Sequence, residues 1–477
     1  MNISDIRVRF APSPTGLMHL GSVRTALMNY LFAQQKNGTF ILRIEDTDPN
    51  RDFDPQAKNI INDLTWLSLT YTEGPIVGGP YAPYYQSERI SIYQEYIETL
   101  HTKNILYRCF CTAEELELKR RRQIAMKLPP RYDRTCTKLS PEIIADHLAQ
   151  QHPFIWRIKL DHSKQITITD LAHGTITFDF KHFSDFPITR QDGSFTFIFA
   201  NFVDDVTMRI SHVVRGEDHL TNTASQAALY DALGISQPIF WHMPILCSRD
   251  GKKMSKRDFG FSVKDLKDGG YLPEAILNYL AIIGGGNFKQ EIMPLNEIAQ
   301  AFDFAHISTT GRVTYDLEKL QWMNHKWIDL ITPDKLLAYC RPLLQHTFPQ
   351  SVQLKDAVIS HMLQIIKPGM VTLLDCTKEL AFYFNEPVIT AEQLQALEQV
   401  EQSKQVIVRS INFLSDSHLF MKTIKEEAQK EQIPLKSLFQ LLRLALMGAT
   451  KGPAINELID ILGHQEAIKR IEKVISE

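Results

Sequence analysis

Apolar and polar positions change period three times in the first seventy residues, and each change marks an element. Ile6, Val8 and Phe10 alternate with polar residues, the period of a half-buried strand, whereas Val23, Ala26, Leu27, Tyr30 and Leu31 recur at helical spacing. Gly38 interrupts the chain, "FILRIEDTD" gives a second apolar run ending in acids, and Pro55 opens a further helix carrying Ala57, Ile60, Ile61 and Leu64. A strand, a long helical crossover and a second strand predict a parallel, right-handed unit. Ligands in such sheets gather beyond the carboxyl ends of the strands, which is where the Pro-Ser-Pro-Thr-Gly turn and His19 fall. The glycine fingerprint of dinucleotide binding is absent.

Further on, "ITITDLAHGTITFDF" alternates on both sides of a His-Gly turn and predicts a hairpin, and Lys119, Arg120, Arg121 and Arg122 fall on a helix whose charges suit a solvated face. After about residue 320 the apolar spacing is three and four throughout, as in "LKSLFQLLRLAL" and "PAINELIDIL", and no alternating run appears.

At 477 residues the chain is too long for one core and predicts about three or more compact units. Its 52 Lys and Arg against 55 Asp and Glu leave a formal charge of −3, so a polyanion would have to be met by local basic patches. "MNISDIRVRF" lacks an apolar signal core, and no apolar run approaches about eighteen residues, so a soluble cytoplasmic protein without membrane contact is expected.

Six cysteines in a reducing compartment argue against a disulfide framework. Cys109 and Cys111, one residue apart, and Cys136 form a candidate set for structural Zn2+, with Tyr132 the nearest fourth group; three buried thiols without metal is the alternative. A second landmark is "CSRDGKKMSKRDFG", in which Asp250-Gly251 makes a turn and Lys252, Lys253, Lys256 and Arg257 crowd around Met254 and Ser255. Four cations in one loop repel each other, and charge-assisted contacts with a polyphosphate offset that repulsion.

The pairing of His19-Leu20-Gly21-Ser22 with this distant Lys-Met-Ser-Lys-Arg loop resembles the two signatures of class I aminoacyl-tRNA synthetases. "RVRFAPSPTG", "ILRIEDTD", "YQSERISIYQEY", "ANFVDDVTMRISHVVRGEDHLTNT", "GYLPEAILNYLAIIGG" and "YDLEKLQWMNHKWI" resemble, in order and over essentially the whole chain, blocks of bacterial-type glutamyl-tRNA synthetases. That resemblance implies an α/β fold: a Rossmann-like parallel-sheet catalytic domain (1–92 and 196–220) with an inserted α+β acceptor-stem domain (93–195). A stem-contact domain with the Lys-Met-Ser-Lys-Arg loop (221–320) and an all-helical anticodon-binding region (321–477) would follow.

The same resemblance implies ATP-dependent ligation of L-glutamate to tRNA through a glutamyl-adenylate, with Mg2+ on the ATP. His19, Lys253 and Lys256 would be catalytic; His19, Gly21, Ser22, Lys253, Ser255, Lys256 and Arg257 would bind ATP. Arg9, Ala11, Ser13, Glu45, Phe197, Asn201 and Arg215 would hold glutamate, a substrate with two carboxylates and one ammonium that suits two guanidiniums and an acid. Phe197 departs from the tyrosine usual there and lacks its phenolic donor. Gly369 stands three residues before Thr372-Leu373, where family members restricted to glutamate tRNA carry an arginine that rejects the glutamine anticodon. A relaxed or glutamine-tRNA-directed enzyme, with an amidotransferase acting downstream, is the resulting expectation, and a monomer is expected. The competing readings are a small-molecule adenylyltransferase, which would not need the long helical region, and a silent tRNA-binding paralogue, which would be expected to lose His19 or Lys256.

Overall fold

The computed structural model describes residues 5–47, 54–252, 254, 259–260, 262–304 and 312–476. They form two compact units, Met1–Leu266 with Ile276–Leu317, and Lys267–Ala275 with Glu318–Glu477.

The first unit begins as the periodicity predicts. Strand β1 (Arg7–Phe10), helix α1 (Leu20–Gln35) and strand β2 (Thr39–Leu42) follow in order, and β1 pairs with β2 in parallel from Arg7↔Thr39 to Phe10↔Leu42. Gly38 is required at the entry to β2, because a Cβ there would sit 2.5 Å from the Ile6 carbonyl oxygen. Helix α2 (Lys58–Trp66) follows a short turn opened by Pro55 and buries Ile60 and Leu64. Helix α3 (Ile90–Thr102) precedes strand β3 (Leu106–Cys109), which pairs antiparallel with β4 (Ile155–Ile158) across helices α4 (Ala113–Ala125) and α5 (Pro141–Ala149). The basic run lies on α4 as expected, solvated, with Arg120 and Arg121 both paired to Glu117.

The expected hairpin is β5 (Gln165–Asp170) with β6 (Gly174–Asp179). It joins a four-stranded sheet in the order β6-β5-β8-β7, in which β7 (His212–Gly216) and β8 (Ile239–Met243) run parallel and β5 meets β8 at Asp170↔Phe240. Helix α6 (Phe197–Thr207) leads into β7, and α7 (Leu220–Leu233) leads out of it. The Ser211 N–H donates to the Arg7 carbonyl at 3.0 Å, tying β1 to the start of β7, and Asn29 of α1 donates to the Val214 carbonyl at 3.2 Å. The carboxyl ends of β1, β2 and β7 carry the residues of the site described below.

The second unit is helical, and among the described residues after Leu317 every regular element is a helix or a helical turn. The segment 267–275 belongs to it because buried Asn324 accepts from the Leu272 N–H at 2.8 Å and donates to the Val371 carbonyl at 2.6 Å, while the Leu373 N–H donates to the Gly270 carbonyl. Among the described residues, no helix is long and apolar enough to cross a membrane.

Candidate active site

A cavity of about 590 Å³ opens beside the carboxyl ends of β1 and β7 and the start of α1. Arg9, Ala11 and Ser13 reach it from the end of β1 and the turn after it, and Glu45 from the residues after β2. Phe197 and Asn201 come from the first two turns of α6, and Arg215 from β7. His19, Gly21 and Ser22 line the same cavity. The structure therefore brings together every expected nucleotide-side and amino-acid-side residue of the described chain. Lys253, Ser255, Lys256 and Arg257 lie outside the described residues. The turn before them is formed as expected, with the Gly251 N–H donating to the Ser248 carbonyl and Gly251 at a φ of +74°.

Beneath the cavity lies a charge network that sequence reasoning did not single out. Asn201, Asp204 and Asp205 share one face of α6, the i, i+3, i+4 arrangement. Arg43, fully buried, donates to Asp205 at 2.7 Å and to Asn201 Oδ1 at 2.8 Å, and lies 3.6 Å from Asp204 and 3.7 Å from Glu45. Arg9 donates to Asp205 at 3.1 and 3.3 Å. Asp204 also accepts from Arg89 at 2.6 Å, Gln86 at 2.8 Å and the Tyr93 hydroxyl at 3.0 Å.

These pairings divide the pocket charges into matched and unmatched. Burial works to raise Asp205, but Arg9 and Arg43 outweigh it and hold this carboxyl below its ordinary range. Glu45 is less well served: burial pushes it up to about 7 against the pull of Arg43 and Arg9. Burial likewise brings Arg215 down to about 9, with repulsion from Arg9 adding to the effect. Arg215 Nη2 donates to Thr223 and Gln226, while Nη1 has no hydrogen-bond partner among the described residues. The pocket thus holds a carboxylate and a guanidinium that both lack full compensation from the described protein groups, a charge pattern complementary to an amino acid.

His19 is the N-cap of α1: its Nδ1 accepts from the Ser22 N–H at 3.1 Å, and its Nε2 lies 3.1 Å from Ser22 Oγ. An accepting Nδ1 leaves the proton of the neutral ring on Nε2, so the imidazole is set as a donor at that atom. Gly21 is glycine for a local reason, since a Cβ there would meet the His19 ring at 3.0 Å. Phe197 stacks on His219 at 5.3 Å, and burial, with Arg215 nearby, brings His219 down to about 4, so that ring is neutral.

Away from the cavity, the sulfurs of Cys109, Cys111 and Cys136 lie within 4.8 Å of one another. Cys111 and Cys136 are 3.6 Å apart, and the Tyr132 hydroxyl sits 3.4 Å from Cys109 and 3.8 Å from Cys111. Sulfurs bound at tetrahedral zinc stand about 3.8 Å apart, so the donor set fits such an ion with little movement. The Tyr132 hydroxyl already accepts from the Cys136 N–H at 3.1 Å. Gly369 ends an exposed turn after the helix Asp356–Ile366, and a Cβ added to it meets nothing within 4 Å. Neighbouring Lys367 is engaged, donating to the Ile331 carbonyl at 2.9 Å.

Residues 5–322 match the catalytic domain of the class I tRNA synthetases (E and Q), and residues 335–475 match an anticodon binding domain. The chain is 37% identical over 481 residues to glutamate–tRNA ligase 1 of Syntrophomonas wolfei, covering 99% of this chain and 97% of that protein. It is 35% identical to the glutamate–tRNA ligase of Carboxydothermus hydrogenoformans, over 98% of this chain and 99% of that one. Its fold superposes on the crystal structure of a glutamate tRNA ligase from Elizabethkingia meningosepticum in complex with its amino acid with a TM-score of 0.89, at 31% identity and over 99% of both chains.

The raised Glu45 pKa carries a stability signature. A carboxyl raised from its ordinary range to about 7 favours the folded state below its unfolded pKa, and that advantage is lost as pH rises through about 7. Glu45→Gln should therefore raise the thermal midpoint of the ligand-free protein at pH 8 and leave it unchanged near pH 4. Equal shifts at both pH values would show that burial of Glu45 does not govern its ionisation.

Proposed function

The chain belongs to the class I tRNA synthetases for glutamate and glutamine, and we propose that the cavity at the start of α1 is where it activates L-glutamate with ATP for ligation to tRNA. The observation that carries this reading is the convergence of Arg9, Arg215 and Glu45 with the capped N-terminus of α1 on one cavity. Arg9 and Arg215 suit the two carboxylates of the substrate, and Glu45 with Asn201 suits its ammonium; Ala11 and Ser13 complete that side, and Phe197 walls it without a phenolic donor.

The chemistry asks for charge stabilisation rather than a base. A glutamate carboxylate, already ionised, attacks the α-phosphorus of ATP, the bond to the β-phosphate oxygen breaks, and pyrophosphate leaves with its magnesium. The resulting glutamyl-adenylate is attacked by a ribose hydroxyl of the terminal adenosine of tRNA, releasing AMP. His19 Nε2–H and Ser22 at the positive end of α1 suit the ATP phosphates, and Gly21 keeps that turn clear. Lys253 and Lys256, with Ser255 and Arg257, are assigned by their motif to the departing pyrophosphate.

Around this centre, the reading places the acceptor stem on 93–195, further stem contacts on 221–320 and the anticodon on 321–477, in a monomer working in the cytoplasm. Cys109, Cys111, Cys136 and Tyr132 would hold a structural Zn2+. Gly369 leaves open space where an excluding side chain would stand, and discrimination depends on excluding contacts as much as attractive ones. That favours relaxed charging of glutamate and glutamine tRNAs, with an amidotransferase converting the misacylated product.

Three outcomes are expected. His19→Ala loses about 3 kcal/mol of transition-state stabilisation in pyrophosphate exchange, whereas His19→Asn restores the helix cap and the thermal midpoint without restoring turnover; wild-type exchange in either variant overturns the phosphate-side role. Purified protein carries about one zinc per chain, lost in Cys109→Ser, and metal-free protein of full stability rejects the site. Labelled glutamate is charged onto both purified tRNAs with efficiencies within about tenfold, and a preference of a hundredfold for glutamate tRNA, about 2.7 kcal/mol, overturns relaxed specificity.

A further inference from the structure

Arg215 is held in the cavity wall with no carboxylate paired to it among the described residues, and the groups behind it form an unbroken hydrogen-bonded row. Its Nη2 donates to Thr223 Oγ1 at 2.7 Å, Thr223 Oγ1 lies 2.7 Å from His242 Nε2, and His242 Nδ1 lies 2.6 Å from Asp170 Oδ2. Asp170, Thr223 and His242 are all buried.

Chemistry fixes the direction of every bond in the row. Burial holds His242 below its ordinary pKa, so its ring is neutral and carries one proton. Asp170 is a carboxylate held below its usual range: burial opposes this, but bonds from His242 and His173 outweigh it. A carboxylate only accepts, so the His242 proton sits on Nδ1 and Nε2 becomes an acceptor. The Thr223 hydroxyl donates to that nitrogen, its other acceptor, the His219 carbonyl, being further off at 3.2 Å. The hydroxyl lone pairs then receive the Arg215 N–H.

The far end is fastened. Asp170 Oδ1 accepts from the Ala172 and His173 N–H groups, both at 2.9 Å, and from the His173 ring at 3.0 Å, while Oδ2 also accepts from the His242 N–H at 3.1 Å. Asp170 is also the residue through which β5 meets β8.

We propose that Asp170, His242 and Thr223 are positioning residues that hold Arg215 by Nη2 and so leave Nη1 for a carboxylate of the amino-acid substrate. The inference rests on the pocket reading above. A guanidinium held at Nη2 by the row and by Gln226 Oε1 at 2.8 Å, and at Nε by a longer bond of 3.5 Å to His242 Nε2, keeps its orientation before a ligand arrives, and substrate binding then costs no rotation of the side chain.

The test uses full-length Thr223→Val, which removes the hydroxyl at nearly constant volume, Thr223→Ser, which keeps it, Asp170→Asn, and the Thr223→Val/Asp170→Asn double variant. Pyrophosphate exchange is measured in the presence of tRNA with glutamate and ATP varied in turn, alongside thermal midpoints. Thr223→Val and Asp170→Asn should each raise the KM for glutamate about tenfold with the KM for ATP within about twofold, and Thr223→Ser should stay within about threefold of wild type. The double variant should be no worse than the poorer single variant by more than about twofold, since both changes break one row. Should the valine variant fail to fold, Thr223→Ala is judged by the same criteria. An unmoved glutamate KM, an equal rise in the ATP KM, or multiplicative losses in the double variant overturn the relay while wild-type exchange still supports the pocket. Wild-type protein that activates no glutamate overturns the pocket reading and the relay with it.

Discussion

Asp205 and Asp204 on α6, clamped between Arg9, Arg43 and Arg89, set the constraint on which the catalytic unit depends. Arg43 is wholly buried, and its charge is tolerable only because Asp205 sits at 2.7 Å and Asp204 at 3.6 Å. Removing one partner of such a buried pair costs about 3–5 kcal/mol, since the charge left behind has no water to turn to. The arrangement joins β1, the residue after β2, the start of α3 and α6 around one set of charges. Packing alone would let these elements slide by a fraction of a turn, whereas directed, charge-assisted bonds do not.

That rigidity explains why the pocket can keep charges poorly compensated. Glu45 and Arg215 each meet burial without a full set of partners, and their pKa values move toward the neutral forms, to about 7 and about 9. An unpaired buried group would ordinarily drag the surrounding structure toward a compensating partner. Here the candidate partners are already engaged: Arg43 is committed to the aspartates, and Arg9 to Asp205. A ligand bearing the opposite charges supplies the compensation that the protein groups do not.

Much of this was legible in the sequence where local periodicity or spacing carries it. The parallel β1-α1-β2 unit followed from alternating Ile6, Val8 and Phe10 and the helical spacing after Val23, and the helical second unit from its three and four spacings. The Cys109, Cys111, Cys136 and Tyr132 grouping was legible because two cysteines one residue apart, with a third cysteine further along and a tyrosine close to it, are a recognisable donor set even though the chain between them forms a helix of its own. The Arg43–Asp205 and Arg215–Thr223–His242–Asp170 connections were not. They join positions far apart in the chain, and a single arginine or histidine in an apolar strand has no period to betray it. Only the adjacent acids in "NFVDDV", on an otherwise apolar helix, gave a signal, since two carboxylates facing a core demand partners.

The two pocket arginines are stabilised in opposite ways, and the contrast bears on what each can do. Arg9 meets Asp205 directly through Nε and Nη2, an ion pair that fixes the guanidinium and spends part of its charge. Arg215 reaches its carboxylate only through the His242 imidazole, by way of the Thr223 hydroxyl from Nη2 and by a longer direct bond of 3.5 Å from Nε. A carboxylate placed directly against Arg215 would stabilise the empty pocket better, but it would compete with any incoming anion for the same N–H groups. Moving that charge back by two uncharged groups keeps the orienting bond and surrenders the neutralisation. The cost appears as the lowered Arg215 pKa, and the return is a guanidinium whose Nη1 has no partner among the described residues to be displaced. The row does this only if its last member cannot move. Asp170 meets that requirement because the turn of the β5–β6 hairpin closes two backbone N–H groups onto its carboxylate at the residue where β5 joins the sheet. The hairpin that the alternation of "ITITDLAHGTITFDF" predicts is, in this arrangement, the anchor for a side chain in the wall of the cavity.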